Sequence, residues 1–381
     1  MLDHTMDMDY RTLGRTGLKA SVIGLGTEYL HGQSRETVIS VVHEALQQGV
    51  NYFDIIFSFP EYLDNLGIAL EGQRKRIFLA GHLGSSEKNG QYQKTRSVKK
   101  SKAVFLDLLS RLGTEAVDLL FLHNCDRQND YDQLMHGGQF DLACALKQEG
   151  KARFLGFSGH TIATARQAVE SGQIDVLMFP IHLAGNAVPG RQDLLNACIA
   201  RDIGVVAMKP YAGGKLLLEK RSIQVGKTQM GGEALKLKAS APISPVHCLA
   251  YSLEQIGVSI ALPGCADREQ LFAALAYLEA SDAEKDFSSV ITDVRQYATG
   301  ECVYCNHCLP CPSQIDVGKT LRLLDIARQH LTAELRAQYA RLPASASACT
   351  ACGACVERCP FGVDVIAKMT RAVQIFEARE P

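Results

Sequence analysis

Eight of the thirteen cysteines of this 381-residue chain lie between Cys302 and Cys359, in two runs. Cys302, Cys305, Cys308 and Cys311 are each two residues apart, and Pro312 follows. Cys349, Cys352 and Cys355 repeat that spacing, then Cys359 comes after three residues, followed by Pro360. Three thiolates at two-residue spacing can wrap three corners of an iron–sulfur cubane. A fourth, followed by proline, sits too far round and reaches a second cluster. The expected assignment is Cys302, Cys305, Cys308 and Cys359 on one [4Fe–4S] cluster, and Cys349, Cys352, Cys355 and Cys311 on the other. The first run is one residue short of the usual bacterial spacing before its last cysteine. Structural zinc uses pairs of Cys-x2-Cys across a longer gap, and disulfides do not suit a reducing compartment.

Both runs continue as Cys-Pro-x-x-(Ile/Val)-Asp-Val, from Cys311 to Val317 and from Cys359 to Val365. This internal repeat predicts two halves related by a pseudo-twofold, with Asp316 and Asp364 as equivalent N-caps of the helices that follow. Leu321, Leu324, Leu331, Leu335 and Leu342 predict an amphipathic helix over Thr320–Leu342. A helical connector points to an α-helical ferredoxin-like domain.

The elements upstream must bring further chemistry together. Eight mostly apolar runs read as strands: Ala20–Ile23, Tyr52–Phe57, Ile77–Ala80, Val117–Leu122, Phe154–Phe157, Val176–Phe179, Val205–Met208 and Ile260–Leu262. Helical segments separate them, including Arg35–Gln48, Val98–Leu112, Thr161–Ser171, Gln192–Asp202 and Val246–Leu253. Strands that are apolar on both faces belong in a buried parallel sheet, and eight βα units predict a (β/α)8 TIM barrel. The fold class expected is thus α/β, a barrel over residues 9–285 with a helical linker and two-cluster domain over 286–381. Arg221–Pro245 reads as a long loop and Asp282–Thr299 as a helical link. No G-x-G-x-x-G follows the first strand, which disfavours a Rossmann domain. With 46% hydrophobic and 21% charged residues and a net charge of −1, the chain can build a large core and lacks a global pull toward nucleic acid or anionic membrane. The first ten residues carry Asp3, Asp7 and Asp9 and no apolar core of a signal peptide, and no run is long enough to span a membrane. A cytoplasmic protein is expected.

Several segments then become recognisable in order. Tyr10-Arg11-Thr12-Leu13-Gly14-Arg15-Thr16-Gly17-Leu18, Gly49-Val50-Asn51-Tyr52-Phe53-Asp54, Arg111-Leu112-Gly113-Thr114 with Val117–His123, and Gly150–Ser158 resemble the aldo-keto reductases. The chain as a whole resembles the ferredoxin-containing branch of that superfamily. The resemblance implies an Asp, Tyr, Lys and His tetrad at strand ends, with tyrosine protonating a carbonyl while NADPH delivers hydride. Asp54 and His123 match it. The lysine position is His82 and the tyrosine position is Phe59; neither phenylalanine nor imidazole reproduces the pair. Tyr62, three residues on, is the candidate substitute. In the nicotinamide site implied by the family, Ser158 is retained, Gly159 replaces asparagine, Met178 replaces glutamine and Met208 replaces the stacking tyrosine. Lys209 and the turn Ala212-Gly213-Gly214-Lys215 are candidates for holding a cofactor phosphate; a salt bridge in the barrel mouth is the alternative for Lys209.

Asp54, His82, His123 and His182 all fall at strand ends on the inward parity, with His160 just past a fifth strand. A proton relay using His82 or His123 as general acid is the first reading. A bound barrel metal and a hydrogen-bonded remnant of a lost site are the others. The basic stretch Ser85–Lys102, with Lys88, Lys94, Arg96, Lys99, Lys100 and Lys102, should overhang the mouth, either solvated or attracting an anion or docking the cluster domain. Nicotinamides move two electrons together and each cluster takes one, so joining them calls for a group such as a flavin. The expected function is an iron–sulfur oxidoreductase passing electrons between a redox protein partner and a small molecule at the barrel mouth, with Asp54, His82 and His123 handling protons. The alternatives are an NADPH-dependent carbonyl reductase with a structural cluster domain, and a non-catalytic electron carrier or docking scaffold. Expected cofactors are the two clusters, with NADP(H) and a flavin or barrel metal as further candidates.

Overall fold

The computed structural model describes residues 6–185, 188, 190–217, 223–224, 236–237, 243–287, 302, 306, 308–327, 331–359 and 362–378. Eight parallel strands form the barrel of a ten-stranded sheet: β1 (Leu25–Gly26), β2 (Tyr52–Ile55), β3 (Phe78–Leu83), β4 (Val117–Leu122), β5 (Ala152–Ser158), β6 (Val176–Pro180), β7 (Gly204–Met208) and β8 (Val258–Leu262). They neighbour one another in chain order, and bridges Ile23–Ala261 and Gly26–Gly264 close β8 onto β1. The result is the expected barrel.

Strand side chains alternate, so residues of one parity fill the barrel. Tyr52, Ala80, Leu119, Phe121, Val176, Val206 and Ile260 form that interior, closed below by Leu13, Leu18 and Ala20. The other parity, including Phe53, Leu79, Leu120, Phe157, Leu177 and Val205, packs outward against the helices in the larger core. Extending the inward parity upward reaches Asp54, His82, His123, Ser158, Met178 and Met208. The mouth is therefore the top layer of the barrel's own packing.

The structure corrects four boundaries. The apolar run Ala20–Ile23 is not itself the first barrel strand. Lys19–Ser21 pairs antiparallel with Tyr10–Thr12 below the barrel, and β1 begins at Leu25. A Cβ on Gly24 would lie 2.9 Å from the Tyr52 ring, so the chain passes the barrel wall at a residue with no side chain. The basic stretch over Ser85–Lys102 begins as a hairpin, Ser85–Lys88 with Gln91–Lys94, and runs into the expected helix at Val98–Arg111. Asn89 and Gly90 at its turn both have positive φ, 54° and 76°, the signature of a tight type I′ turn. The helix expected over Thr320–Leu342 is two, Val317–Ala327 and Ala333–Ala340, the second capped by Thr332, whose hydroxyl accepts from Leu335 N–H. Asp282–Lys285 is helical, and residues 288–299 of the expected link lie outside the described residues. Of the loop expected over Arg221–Pro245, Ile223–Gln224 pairs with Lys236–Leu237, a helix begins at Pro245, and most of the remainder lies outside the described residues.

In the C-terminal region the internal repeat is visible in the backbone. Asn306 and Gly353, each one residue after the second cysteine of a run, have φ of 59° and 79°. Gln314 and Gly362, each three residues after a fourth cysteine, have φ of 59° and 64°. Asp316 accepts from Lys319 N–H at 3.0 Å and Asp364 from Ala367 N–H at 2.9 Å, so both expected N-caps form. Among the described residues, no helix is long and apolar enough to cross a membrane.

Candidate active site at the barrel mouth

Asp54 is the penultimate residue of β2, His82 that of β3, and His123 follows β4. Parallel registry aligns them, because Asp54 pairs with Ala80 and His82 with Phe121. Their side chains form a buried chain: His82 Nε2 is 2.9 Å from Asp54 Oδ1, and His82 Nδ1 is 3.0 Å from His123 Nδ1. His82 also stacks on Phe121, with ring centroids 5.3 Å apart. Burial pushes the His123 imidazole well below its ordinary pKa, reinforced by its neighbours His82, Arg96 and Lys94. His123 is thereby held neutral at pH 7.

All three line a cavity enclosing about 1420 Å³ including its open mouth. Ser158, Met178, Met208, Lys209, Gly213 and His160 line the same cavity, so the expected cofactor-binding positions share it. Lys209 has a left-handed φ of 56°, and Ala212, Gly213 and Gly214 follow with φ of 49°, 71° and 87°. Two backbone N–H groups of this loop are spent within it, Ala212 on the Lys209 carbonyl at 2.8 Å and Gly214 on that of Tyr211 at 2.9 Å. His160 is turned aside by Asp126, which holds its Nδ1 at 3.2 Å and its backbone N–H. His182 is not part of the lining. Its Nδ1 accepts Gly185 N–H at 3.1 Å, and burial, with Arg191 and Lys209 nearby, lowers its pKa to about 4. Among the described residues, no three His, Cys, Asp or Glu side chains converge as the ligands of one metal ion. Asp54, His82 and His123 bond to one another instead.

Tyr62, expected as the substitute for the family's tyrosine, does not reach the cavity. Its hydroxyl is buried against Thr27 Oγ1, and burial raises its pKa. Phe59 stacks on His31 with centroids 4.0 Å apart. A different phenol reaches the histidines: Tyr92 Oη, from the mouth hairpin, is 2.6 Å from His123 Nε2. The basic residues of that segment are largely committed to structure. Lys94 and Arg96 both pair with Asp130 at 2.7 Å, and Arg96 also donates to the carbonyls of His123 and Asn124 at 2.8 and 2.9 Å.

The cysteine region sits against this mouth. Arg322, on the helix Val317–Ala327, lines the barrel cavity and lies over the Tyr29 ring at 5.5 Å. Asp325 on the same helix pairs with Lys215 at 3.4 Å and Lys368 at 3.9 Å. Gln91 Oε1 accepts Cys311 N–H at 2.8 Å, and Gln91 Nε2 donates to Gln314 at 2.6 Å. Sequence reasoning missed Gln91, Tyr92 and Arg322. The Asn89-Gly90 pair was the available signal for the hairpin; nothing local marked Arg322.

Five of the eight cysteines, drawn from both expected sets, share one cavity. Cys311, Cys349, Cys352 and Cys355 line one small cavity, together with Cys308, Ile315 and Met369. Burial raises the Cys355 thiol, and Cys349 and Cys311 are near enough to add to that effect. The thiolates of a cubane meet its separate corners, so they need not converge as ligands of a single ion do. In the other half, Cys302 and Cys308 are buried and Cys359 is half-buried. Arg358 donates to the carbonyls of Cys308 and Pro310 at 3.0 and 2.8 Å, tying the second run to the first. Cys305 lies outside the described residues.

A parallel eight-stranded barrel with a polar pocket at the strand ends, joined to a twofold cysteine repeat, defines a class of barrel oxidoreductase with an iron–sulfur appendage. The chain matches the Aldo/keto reductase family over residues 22–293 and the 4Fe-4S dicluster domain over residues 301–363, and it belongs to the aldo/keto reductase family. L-galactose dehydrogenase from Arabidopsis thaliana is 27% identical over 313 residues, covering 74% of this chain and 93% of that protein. L-glyceraldehyde 3-phosphate reductase from Escherichia coli O157:H7 is 23% identical over 275 residues, covering 67% and 78%. The holo form of an aldo-keto reductase from Bacillus halodurans superposes with a TM-score of 0.60 at 22% identity, covering 76% of this chain and 98% of that one. The chain is an oxidoreductase of aldo-keto reductase type with a 4Fe-4S region.

Proposed function

We propose that the protein exchanges electrons between its iron–sulfur region and a small molecule bound in the barrel mouth, with Asp54, His82 and His123 moving the accompanying protons. The observation that carries this reading is a single cavity lined both by the Asp54–His82–His123 chain and by Arg322 from the cysteine region. When bound, a [4Fe–4S] cluster gives or takes one electron at a time. The residues of the barrel supply the rest. Asp54 holds His82 through a charge-assisted hydrogen bond and can stabilise it as imidazolium. His123, kept neutral by burial, can pass a proton without retaining it. Lys209 and Arg322 are cations at the cavity wall suited to an anionic group on the substrate or on NADP(H). Ser158, Lys209 and the turn at Gly213 would hold that nucleotide, and the eight cysteines Cys302, Cys305, Cys308, Cys311, Cys349, Cys352, Cys355 and Cys359 would hold the clusters. A redox protein is the expected external donor or acceptor.

A second reading, NADPH-dependent carbonyl reduction with a structural cluster region, draws support from the relatives named as a dehydrogenase and a reductase. The absence of tyrosine and lysine from positions 59 and 82 weighs against it. Anaerobic protein separates the two. Following the visible absorbance of the clusters during addition of NADPH, NADH and then dithionite, we expect bleaching by dithionite and turnover that is lost in the double variant His82→Ala, His123→Ala with clusters intact. Steady NADPH oxidation with an aldehyde by protein lacking Cys302 and Cys349 would overturn the proposal in favour of the second reading.

A further inference from the structure

The buried chain does not end at His123. Tyr92 Oη lies 2.6 Å from His123 Nε2, His123 Nδ1 lies 3.0 Å from His82 Nδ1, and His82 Nε2 lies 2.9 Å from Asp54. The protons along it can be ordered in only two ways. An ionised Asp54 can only accept, so His82 Nε2–H donates to it and His82 Nδ1 is left to accept. His123 must then donate from Nδ1, and its Nε2 accepts the Tyr92 hydroxyl. One added proton at the Asp54–His82 end reverses the sequence. His82 Nδ1–H donates to His123, and His123 Nε2–H donates to the tyrosine oxygen. The terminal group must therefore donate in one state and accept in the other, which a hydroxyl can do.

The groups facing His123 are His82 and Asp54 from neighbouring strands, Tyr92 and Lys94 from the hairpin, Arg96 beyond it, and His160. The cations among them oppose a resting charge on His123. The added proton thus resides toward Asp54, while the tautomer of His123 records its presence. On the hairpin strand, successive side chains point to opposite sides. Tyr92 faces the histidines, while Gln91 faces away and holds the Cys311 loop at 2.8 Å.

We propose that Tyr92 is the reversible terminus of the relay, positioning His123 in either tautomer, and that Gln91 braces this terminus against the docked cysteine region. The inference rests on the relay reading above and extends it to the element that joins relay and clusters. In loading, the His123 Nδ1 proton passes to His82 Nδ1, the Tyr92 hydroxyl proton passes to His123 Nε2, and the proton supplied by solvent or by a substrate in the cavity restores the hydroxyl; the net change is one proton gained.

The test uses full-length, cluster-loaded protein labelled with 15N-histidine, in which nitrogen shifts report protonation and tautomer. In the wild type, His82 and His123 should move together in one step. In Tyr92→Phe the neutral His123 loses its terminal partner in both states, so the step should shift by up to about one pH unit. His123 should also populate both tautomers, with the cluster absorbance unchanged. Gln91→Ala should shift the step in the same direction. A Tyr92→Phe protein with the wild-type step and one tautomer overturns the role of Tyr92, and a Gln91→Ala protein with the wild-type step overturns the brace. Separate titration of the two histidines in the wild type would instead defeat the relay reading itself.

Discussion

Replacing Asp325 by alanine should loosen the cysteine region from the barrel mouth without unfolding either. Asp325 lies 3.4 Å from Lys215 of the loop after β7 and 3.9 Å from Lys368 of the helix Val365–Ala372, and the closer pair is 9% and 11% exposed. With an effective dielectric of about 20, those separations correspond to attractions of about 5 and about 4 kcal/mol. Desolvation offsets most of this while the pair is intact. Breaking such a buried pair from one side costs about 3–5 kcal/mol. Lysine stems can swing their ammonium groups toward water, so the lower figure applies. About 3 kcal/mol is a factor on the order of a hundred in the docking equilibrium. Hydrogen exchange of the full-length protein reads that equilibrium directly. Amides of Val317–Ala327 and of the hairpin strand Gln91–Lys94 should exchange about a hundredfold faster, while those of β4 stay unchanged. Equal acceleration throughout would mean that Asp325 serves global stability; no acceleration would mean that this ion pair does not hold the two regions together. Asp325→Asn, which keeps the shape and removes the charge, should lie between.

Tyr62→Phe should leave the histidine titration and cluster bleaching unchanged and cost about 1 kcal/mol through the lost bond to Thr27; loss of turnover with normal stability would restore Tyr62 as the substitute acid. Cys311→Ala should abolish or alter the cluster held by Cys349, Cys352 and Cys355 and spare the other. Electron paramagnetic resonance after dithionite should then show one signal lost and one retained, and loss of both or neither would count against the crossed assignment. His182 is neutral in the folded protein, its pKa lowered from 6.5 to about 4. The unfolded chain therefore binds more protons between those values, and stability falls as pH drops below about 6.5. Between pH 7 and pH 5 this amounts to about 2 kcal/mol. His182→Asn keeps an acceptor for Gly185 N–H, so its thermal midpoint should fall less between those two pH values than that of the wild type; parallel falls would refute the assignment.

The barrel was legible because a buried parallel strand must be apolar on both faces, and eight such runs leave few alternatives. Parity carried the mouth as well. A period of two fixes Asp54, His82 and His123 to the inward side of adjacent strands, so their meeting followed once the strands were located. Parity failed for His182, which lies two residues beyond β6, where strand geometry no longer governs direction. It also could not separate Lys19–Ser21 from β1, because a continuous apolar run does not say which of its residues join the ladder. Tyr92 escaped because it reaches the site from a hairpin above the strands, in a segment whose lysines drew attention to charge. Arg322 and Gln91 escaped for a stronger reason. Their neighbours are more than two hundred residues away in the chain, and only the docked arrangement makes them part of the mouth.

On the proposed correspondence with the family tetrad, the residues at positions 59 and 82 make sense together rather than singly. Lysine has three donors and no acceptor. At position 82 it could bond Asp54, yet it could not also accept from His123 Nδ1, and a chain running on to Tyr92 would be cut. Imidazole both accepts and donates, so His82 continues the chain where lysine would end it. Phe59 complements this change: its ring is spent on His31 and Phe57, in an aromatic cluster that Phe57 extends to Tyr62. A phenol still bonds the histidine that matches the family tetrad, but it arrives from the hairpin instead of the helix after β2. On the proposed reading, the proton path thereby turns sideways. In the family's arrangement a tyrosine points its proton at a carbonyl. Here the path leads from the cavity, through His82 and His123, to the hairpin strand whose next residue grips the Cys311 loop.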